Sequence, residues 1–312
     1  MLKKIKDFFL DMLFAPSGTA VLVFGIMLLL SLFNLLNTTL FFSGNGWMIL
    51  MLPIAFGAPS VLFWLSRGTK KYIPTIHFSL PKKVHIPTLA FGVLTLFLGS
   101  VLLKMLFFEG RYTEFFVYNT FYAHRNGNLW NDLYLVLMFC ILCPVLEGIV
   151  FRGAIMKEHD RRGRLTVSLY STLLFSLLGF SFEDLIPRLF LGFILCMILY
   201  ATDSLATTIA VHMLYNVFAV FFEPTLVAMK NVSSNFALFA FIVTIITLVV
   251  AILFFSHLSR LYKKYSRDKF GENFVRSTPR ERTFWHFVEL SISIPAIACY
   301  VLFLLTTFLI EL

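Results

Sequence analysis

The sequence predicts an all-α protein that crosses a membrane about nine times. Hydrophobic residues make up 59% of the chain and charged residues 14%, whereas charged residues supply about 25% of an ordinary soluble domain. Apolar runs long enough to span a bilayer follow one another along most of the chain. The net charge of +9 comes from short basic clusters between those runs and not from one basic face. This pattern favours the lipid bilayer as a partner and argues against nucleic acid.

The elements follow from the length of the apolar runs, because a spanning helix needs about 20 mostly apolar residues. Residues 1–15 place apolar side chains on one helical face and charged ones on the other, which predicts an amphipathic surface helix. The whole of residues 1–312 is predicted to be a single membrane domain. Its spans are expected at 18–42, 47–66, 88–108, 133–155, 165–183, 185–202, 204–222, 236–257 and 288–310, the last of these being the last transmembrane helix.

Basic residues predict the orientation, since cytoplasmic loops carry an excess of lysine and arginine. The clusters lie near the N-terminus, at 67–83, at 157–164 and at 260–282. An even number of predicted spans separates each cluster from the next, namely two, two and four. The N-terminus is therefore expected in the cytoplasm and the C-terminus outside, in a multi-pass protein of a bacterial plasma membrane. The segment 258–286 is predicted to be a basic cytoplasmic loop that touches anionic headgroups.

Charged residues inside the spans are the first candidates for a functional site, because each costs about 2.5–3.5 kcal/mol to insert at the bilayer centre. Lys104 lies near a predicted helix end, where its long stem is expected to reach the interface. Glu147 lies about midway along its span and is too short to do so. It therefore needs a partner or a hydrated cavity.

A second candidate pair lies on the seventh predicted span, in the stretch "VHMLYN". His212 and Asn216 are four residues apart, which puts both on one face of a helix. A carboxylate on one span, Arg152 a turn and a half further on, and a histidine–amide face on another span are the usual components of a site that activates water for hydrolysis. We expect Glu147, His212 and Asn216 to converge on one cavity.

Three stretches in order, "EGIVFRG", "LLFSLLG" and "HMLYN", resemble the motifs of the CPBP family, the CAAX proteases and bacteriocin-processing enzymes. The family pattern is Glu-Glu-x-x-x-Arg, Phe-x-x-x-His and His-x-x-x-Asn on three helices. Glu147 and Arg152 match the first motif, Phe175 the second, and His212 and Asn216 the third. The resemblance implies a helical core over about 88–222 and a glutamate-dependent intramembrane endopeptidase. It also implies that the first glutamate and the second-motif histidine activate water, while His212 and Asn216 stabilise the oxyanion.

Two positions depart from that pattern. Gly148 stands where the family has its second glutamate, and Gly179 stands where the second motif has its histidine. Half of the water-activating pair is therefore missing, and we expect weak or no activity. Gly148 also removes the neighbour four residues before Arg152, which is then expected either to reach the cytoplasmic surface or to bind a carboxylate elsewhere in the bundle.

Three functions remain open from the sequence. The first is an active endopeptidase that cleaves a membrane-associated protein or peptide, with Glu147, His212 and Asn216 as its catalytic residues. The second, which the two glycines favour, is a catalytically impaired relative that binds or escorts another membrane protein. The third, a transporter, is disfavoured because the chain shows no repeated halves. No cofactor or metal is predicted, since the four cysteines lie in apolar runs and are interpreted as packing residues.

Overall fold

The computed structural model describes residues 16–36, 55, 80–107, 127–159, 162–232, 236–270 and 280–311. Within these ranges every regular element is helical. They are α1 (Pro16–Leu36), a 3₁₀ turn (Lys83–His85) that leads into α2 (Ile86–Phe107), α3 (Leu129–Val136), a first π-helical segment (Leu137–Leu142), α4 (Cys143–Glu147), a second π-helical segment (Gly148–Ile155), α5 (Met156–Glu158), α6 (Arg164–Leu177), α7 (Phe182–Thr202), α8 (Leu205–Val232), α9 (Phe236–Phe270), α10 (Arg280–Ser291) and α11 (Ile294–Glu311).

Five of the described helices are long and apolar enough to cross a membrane, namely Lys83–Met105, Leu129–Ile155, Phe182–Thr202, Leu205–Phe222 and Ala237–Tyr265. A sixth span is possible by length if Thr283–Ser291 and Ile294–Phe308, which meet at a bend of 56°, cross together. The prediction of an all-α polytopic membrane protein is confirmed. The count of nine is not.

The difference in span count has a physical basis at particular elements. The run predicted at 165–183 forms α6, which has 14 residues. At 1.5 Å per residue this helix is about 21 Å long, which is shorter than the roughly 30 Å hydrocarbon core of a bilayer. In the run predicted at 18–42, helix α1 covers Pro16–Leu36, which is 21 residues. The surface helix predicted at 1–15 and, apart from position 55, the span predicted at 47–66 lie outside the described residues.

The polar segment predicted as a loop at 258–286 is helical over much of its length. Helix α9 has 35 residues and continues to Phe270, and α10 begins at Arg280. Lysine and arginine are good helix formers. The helix α9 therefore continues through these polar residues, although its apolar surface stops where they begin.

The chain divides into two compact units. The first comprises Met1–Ile76, Leu146–Phe182 and Ser277–Leu312, and the second comprises His77–Val145 and Glu183–Arg276.

In the first unit, α1 packs against α11, and α6 packs against both the second π-helical segment and α10. An aromatic cluster joins three parts of this unit. Phe180, just after α6, lies 5.5 Å from the Phe24 ring of α1 and 6.3 Å from the Phe303 ring of α11. Phe180 has a φ of 45°, a left-handed conformation that is strained for a residue with a large side chain. The two flanking rings therefore fix the chain where it leaves α6.

In the second unit, α2 packs against both α8 and α9. A Cβ on Gly92 of α2 would lie 3.3 Å from the Phe254 ring of α9, so the glycine permits the close approach of these helices. Nearer the start of α2, the ring of His85 lies 2.9 Å from Thr207 Oγ1 and 3.1 Å from Tyr265 Oη. Side-chain hydrogen bonds of this kind join helices that have no hydrophobic reason to associate in lipid.

A buried ion pair also lies in the second unit. Lys104 Nζ of α2 is 3.3 Å from Asp184 Oδ1 in the first turn of α7, and the lysine side chain is fully buried. The prediction that Lys104 reaches the membrane interface is therefore wrong. The lysine lies in the last turn of its helix and the aspartate in the first turn of its own, the positions where each charge is stabilised by the helix dipole.

Candidate functional site

The first motif lies at the junction between α4 and the second π-helical segment. Glu147 is the last residue of α4, and Arg152 lies within the π-helical segment. Both side chains are buried, with 3% of each residue exposed. π-Helical turns are rare and occur frequently at functional sites, so the geometry is consistent with a specialised role for this stretch.

Arg152 packs face-on against the second-motif phenylalanine. Its guanidinium carbon lies 3.9 Å from the centre of the Phe175 ring, within the range of a cation–π interaction. Phe151 contacts the same ring edge-on, with the ring centres 5.8 Å apart, and Ser171 Oγ of α6 donates a hydrogen bond of 2.6 Å to the Phe151 carbonyl. Arg152 of the first motif and Phe175 of the second are therefore in direct contact. The expectation that Arg152 reaches the cytoplasmic surface is wrong.

The second motif loses its helical geometry before its last position. Helix α6 ends at Leu177, and the amides of Leu178, Gly179 and Phe180 each bond to the carbonyl three residues earlier. Gly179 therefore lies in a tightened turn beyond the helix, followed at once by the strained Phe180. A side chain at position 179 would be carried by this turn and not by a regular helix that also carries Phe175.

The third motif lies on α8 in the second unit. His212 and Asn216 are one helical turn apart, with 3% and 4% of each residue exposed. Asn216 Nδ2 donates a hydrogen bond of 2.8 Å to the main-chain carbonyl of Phe139, in the first π-helical segment. One amide hydrogen of Asn216 is therefore used by the protein itself. The convergence of Glu147 with these two residues stays a prediction.

Just after α5, polar side chains of the first unit connect α5 with α6 and α10. His159 Nε2 lies 3.3 Å from Glu158 Oε2, and its ring contacts Tyr170 edge-on. Burial lowers the pKa of His159 and the charge of Arg162 lowers it further, against an opposing effect of Glu158. Arg162 Nη1 also lies 2.8 Å from Glu289 Oε2 of α10.

Sequence reasoning missed three contacts, namely the Lys104–Asp184 pair, the Arg152–Phe175 stack and the Asn216–Phe139 hydrogen bond. Each joins residues far apart in the chain, so spacing along one helix gave no signal. Among the described residues, no group of three or more histidine, cysteine, aspartate or glutamate side chains is arranged to hold a metal ion.

Comparison with known families places the motifs in context. Residues 128–218 match the sequence profile of the family described as "Rce1-like: Type II CAAX prenyl endopeptidase Rce1-like". The match covers under a third of the chain and includes all three motifs. No curated protein and no solved structure matches the chain. Over residues 128–218, the chain is therefore similar to the type II CAAX prenyl endopeptidases of this family.

Proposed function

We propose that this chain is a CPBP-type homologue with impaired hydrolytic activity that binds or escorts another membrane protein. The observation that carries the proposal is Gly179, which stands at the position of the family's water-activating histidine, in a turn beyond the end of α6. A positioned general base typically contributes about 10²–10⁴-fold to a rate. Its absence leaves Glu147 as the only motif group of that kind.

The environment of Arg152 supports the same function. The family pattern has a glutamate four residues before this arginine, where the chain has Gly148. Here the guanidinium stacks on Phe175, so the arginine and the phenylalanine contribute packing between two motif helices. Packing of this kind preserves a fold whether or not a bond is cleaved.

The partner is expected to be a membrane protein because the chain offers mostly apolar helices to its surroundings. Only 17% of the most apolar window of α9 is buried, compared with 44–56% for the other four candidate spans. Lipid or an apolar helix of another protein fits that surface. A binding role needs such a surface and does not need a complete hydrolytic site.

A specific observation also supports the alternative, an active endopeptidase. Glu147, His212 and Asn216 are all present and all buried. In that case Glu147 would activate water without a histidine partner, and the enzyme would cleave a membrane-associated protein or peptide slowly. His212 and Asn216 would stabilise the oxyanion.

The experiment that separates the two functions compares the wild-type chain with Glu147→Gln, which removes the charge and keeps the shape. Each is purified in mild detergent from its native membrane, and the co-purifying proteins are identified and sized. We expect the same full-length partner in both preparations, at similar stoichiometry. A partner that is shortened only with the wild-type chain, or that accumulates uncut only with Glu147→Gln, would establish the protease instead.

We further infer, from the alternation of basic clusters, that the N-terminus lies in the cytoplasm and the C-terminus outside. The Phe-, Leu- and Ile-rich composition favours a bacterial plasma membrane. Single cysteines are placed at Arg162, Lys264 and Asn231 in a cysteine-free background. The first two should be labelled only from the cytoplasmic side and the third only from outside. This orientation requires the short helix α6 to cross the membrane, because without it only three candidate spans lie between Arg162 and Lys264. Labelling of position 264 from outside would therefore overturn this orientation.

A further inference from the structure

The first π-helical segment leaves one main-chain carbonyl without the amide that its register requires. The Cys143 amide donates to the carbonyl of Met138, five residues earlier, as in a π-helix. The next donor in this register would serve the Phe139 carbonyl, and it would come from residue 144. That residue is Pro144, which has no amide hydrogen.

The Phe139 carbonyl, which lacks a main-chain donor, lies inside the Leu129–Ile155 span. Phe139 is buried, with 7% of the residue exposed. In lipid or in a protein interior no water is at hand to bond a bare carbonyl, so an unmet group there is strongly destabilising. Where proline interrupts a membrane helix, the freed carbonyl can be hydrogen-bonded by a side chain of a neighbouring helix.

Asn216 supplies such a donor. Its Nδ2 lies 2.8 Å from the Phe139 carbonyl oxygen, and the residue itself is almost fully buried on α8. A carbonyl only accepts hydrogen bonds, so the nitrogen of the carboxamide must face it. Both residues lie in the second unit.

We propose that the Asn216 carboxamide replaces the amide hydrogen that Pro144 lacks, and thereby holds the π-helical register of the segment that leads into Glu147. Asn216 is in this sense a positioning residue. The role is separate from the oxyanion contact that the family resemblance implies, because the carboxamide nitrogen carries two hydrogens and this bond uses one. It also explains why an asparagine is useful at this position in a chain whose water-activating histidine is absent.

The chemistry sets a narrow requirement at position 216. The side chain must donate, which excludes leucine and an ionised aspartate. It must also reach across the gap between α8 and the first π-helical segment, which excludes alanine. If Pro144 is replaced by alanine, an amide hydrogen returns within the helix itself, and the requirement at position 216 should weaken.

The test is a double-mutant cycle of Asn216→Leu and Pro144→Ala in the full chain, purified in detergent without substrate or partner. Asn216→Leu alone should lower the midpoint of thermal unfolding by about 5 °C or more. In the Pro144→Ala background, the same change should lower the midpoint of thermal unfolding by less than half as much. Because the readout is stability, failure of this proposal would leave the proposed function untouched.

The matched control is Tyr215→Phe, which removes the hydroxyl that donates to Ser100 Oγ from the adjacent position of α8. Tyr215→Phe should lower the unfolding midpoint by the same amount in the wild-type and the Pro144→Ala backgrounds. Equal losses for Asn216→Leu with and without Pro144 would overturn the proposal. If Asn216→Leu fails to accumulate, recovery of normal accumulation in the Asn216→Leu/Pro144→Ala chain supports the proposal, and failure of both chains to accumulate rejects it.

Discussion

The motif residues of the two units differ in what their side chains contact. In the first unit, Arg152 packs on an aromatic ring, and glycine stands at the two positions where the family pattern has a glutamate and a histidine. In the second unit, Asn216 donates to one particular carbonyl, and the nearby helices α2 and α7 are joined by the Lys104–Asp184 pair. The difference teaches that a motif residue can be retained for packing or for main-chain hydrogen bonding, so its presence alone does not establish catalysis.

The largest effect is expected from separating the buried charges of the second unit. Lys104→Met should lower the free energy of unfolding by about 3–5 kcal/mol, because it leaves Asp184 partly buried without its cation. The double change Lys104→Met with Asp184→Leu should recover much of that loss. Denaturant unfolding in detergent measures both. Additive losses would show that the two side chains do not depend on each other, and the contrast between the units would weaken.

A smaller effect is expected at the stack in the first unit. Arg152→Met should lower the free energy of unfolding by about 2 kcal/mol, the size of a desolvated cation–π interaction. Arg152→Lys should not restore the loss in full, because an ammonium lacks the planar face of the guanidinium. The matched control is Arg152→Met in a Phe175→Leu background, where the change should cost less. An unchanged cost there would assign the role of Arg152 to another contact.

Replacement of Glu147 should have little effect on stability or on the cellular role. Glu147→Ala removes a buried carboxylate and its desolvation cost, so the free energy of unfolding should rise or stay within about 1 kcal/mol of wild type. Growth or partner assembly in cells that carry the variant measures the role. Loss of function at normal abundance would contradict the proposed function.

The same site can be tested by adding the missing groups. Gly148→Glu with Gly179→His restores the family pattern and should give no hydrolysis, because position 179 lies in the turn after α6 and not on the helix. Incubation with labelled membrane-anchored peptides measures this, with unfolding midpoints as the control for steric clash. Glu147-dependent cleavage in the double variant would show that the two glycines alone account for the impairment.

The smallest effect is expected from pH at His159 in the first unit. Its pKa is lowered in the folded chain, chiefly by burial and then by Arg162, so the unfolded chain binds a proton first as the pH falls. The contribution of His159 to the free energy of unfolding is complete above the ordinary histidine pKa of about 6.5. It is lost as the pH falls towards the pKa of His159 in the folded chain. Unfolding midpoints between neutral and mildly acidic pH should fall less steeply for His159→Asn than for wild type. Equal slopes would contradict this.

The sequence by itself determined the all-α membrane class and the identity of the motif residues. Composition decided the first, because so apolar a chain is stable only in lipid. Spacing decided the second, because Glu147, Arg152, His212 and Asn216 lie in fixed registers along their own helices. The glycines at 148 and 179 were equally visible, and with them the expectation of impaired catalysis.

Only the tertiary structure decided what the polar side chains contact. Lys104 and Arg152 were both expected near the membrane surface, since a long stem can reach it from a helix end. Instead each is buried against a residue distant in sequence, Asp184 or Phe175. Whether a buried charge is stabilised depends on which neighbour packs beside it, and helix packing sets that neighbour. For the same reason the amide donor for the Phe139 carbonyl lies 77 residues further along the chain, at Asn216.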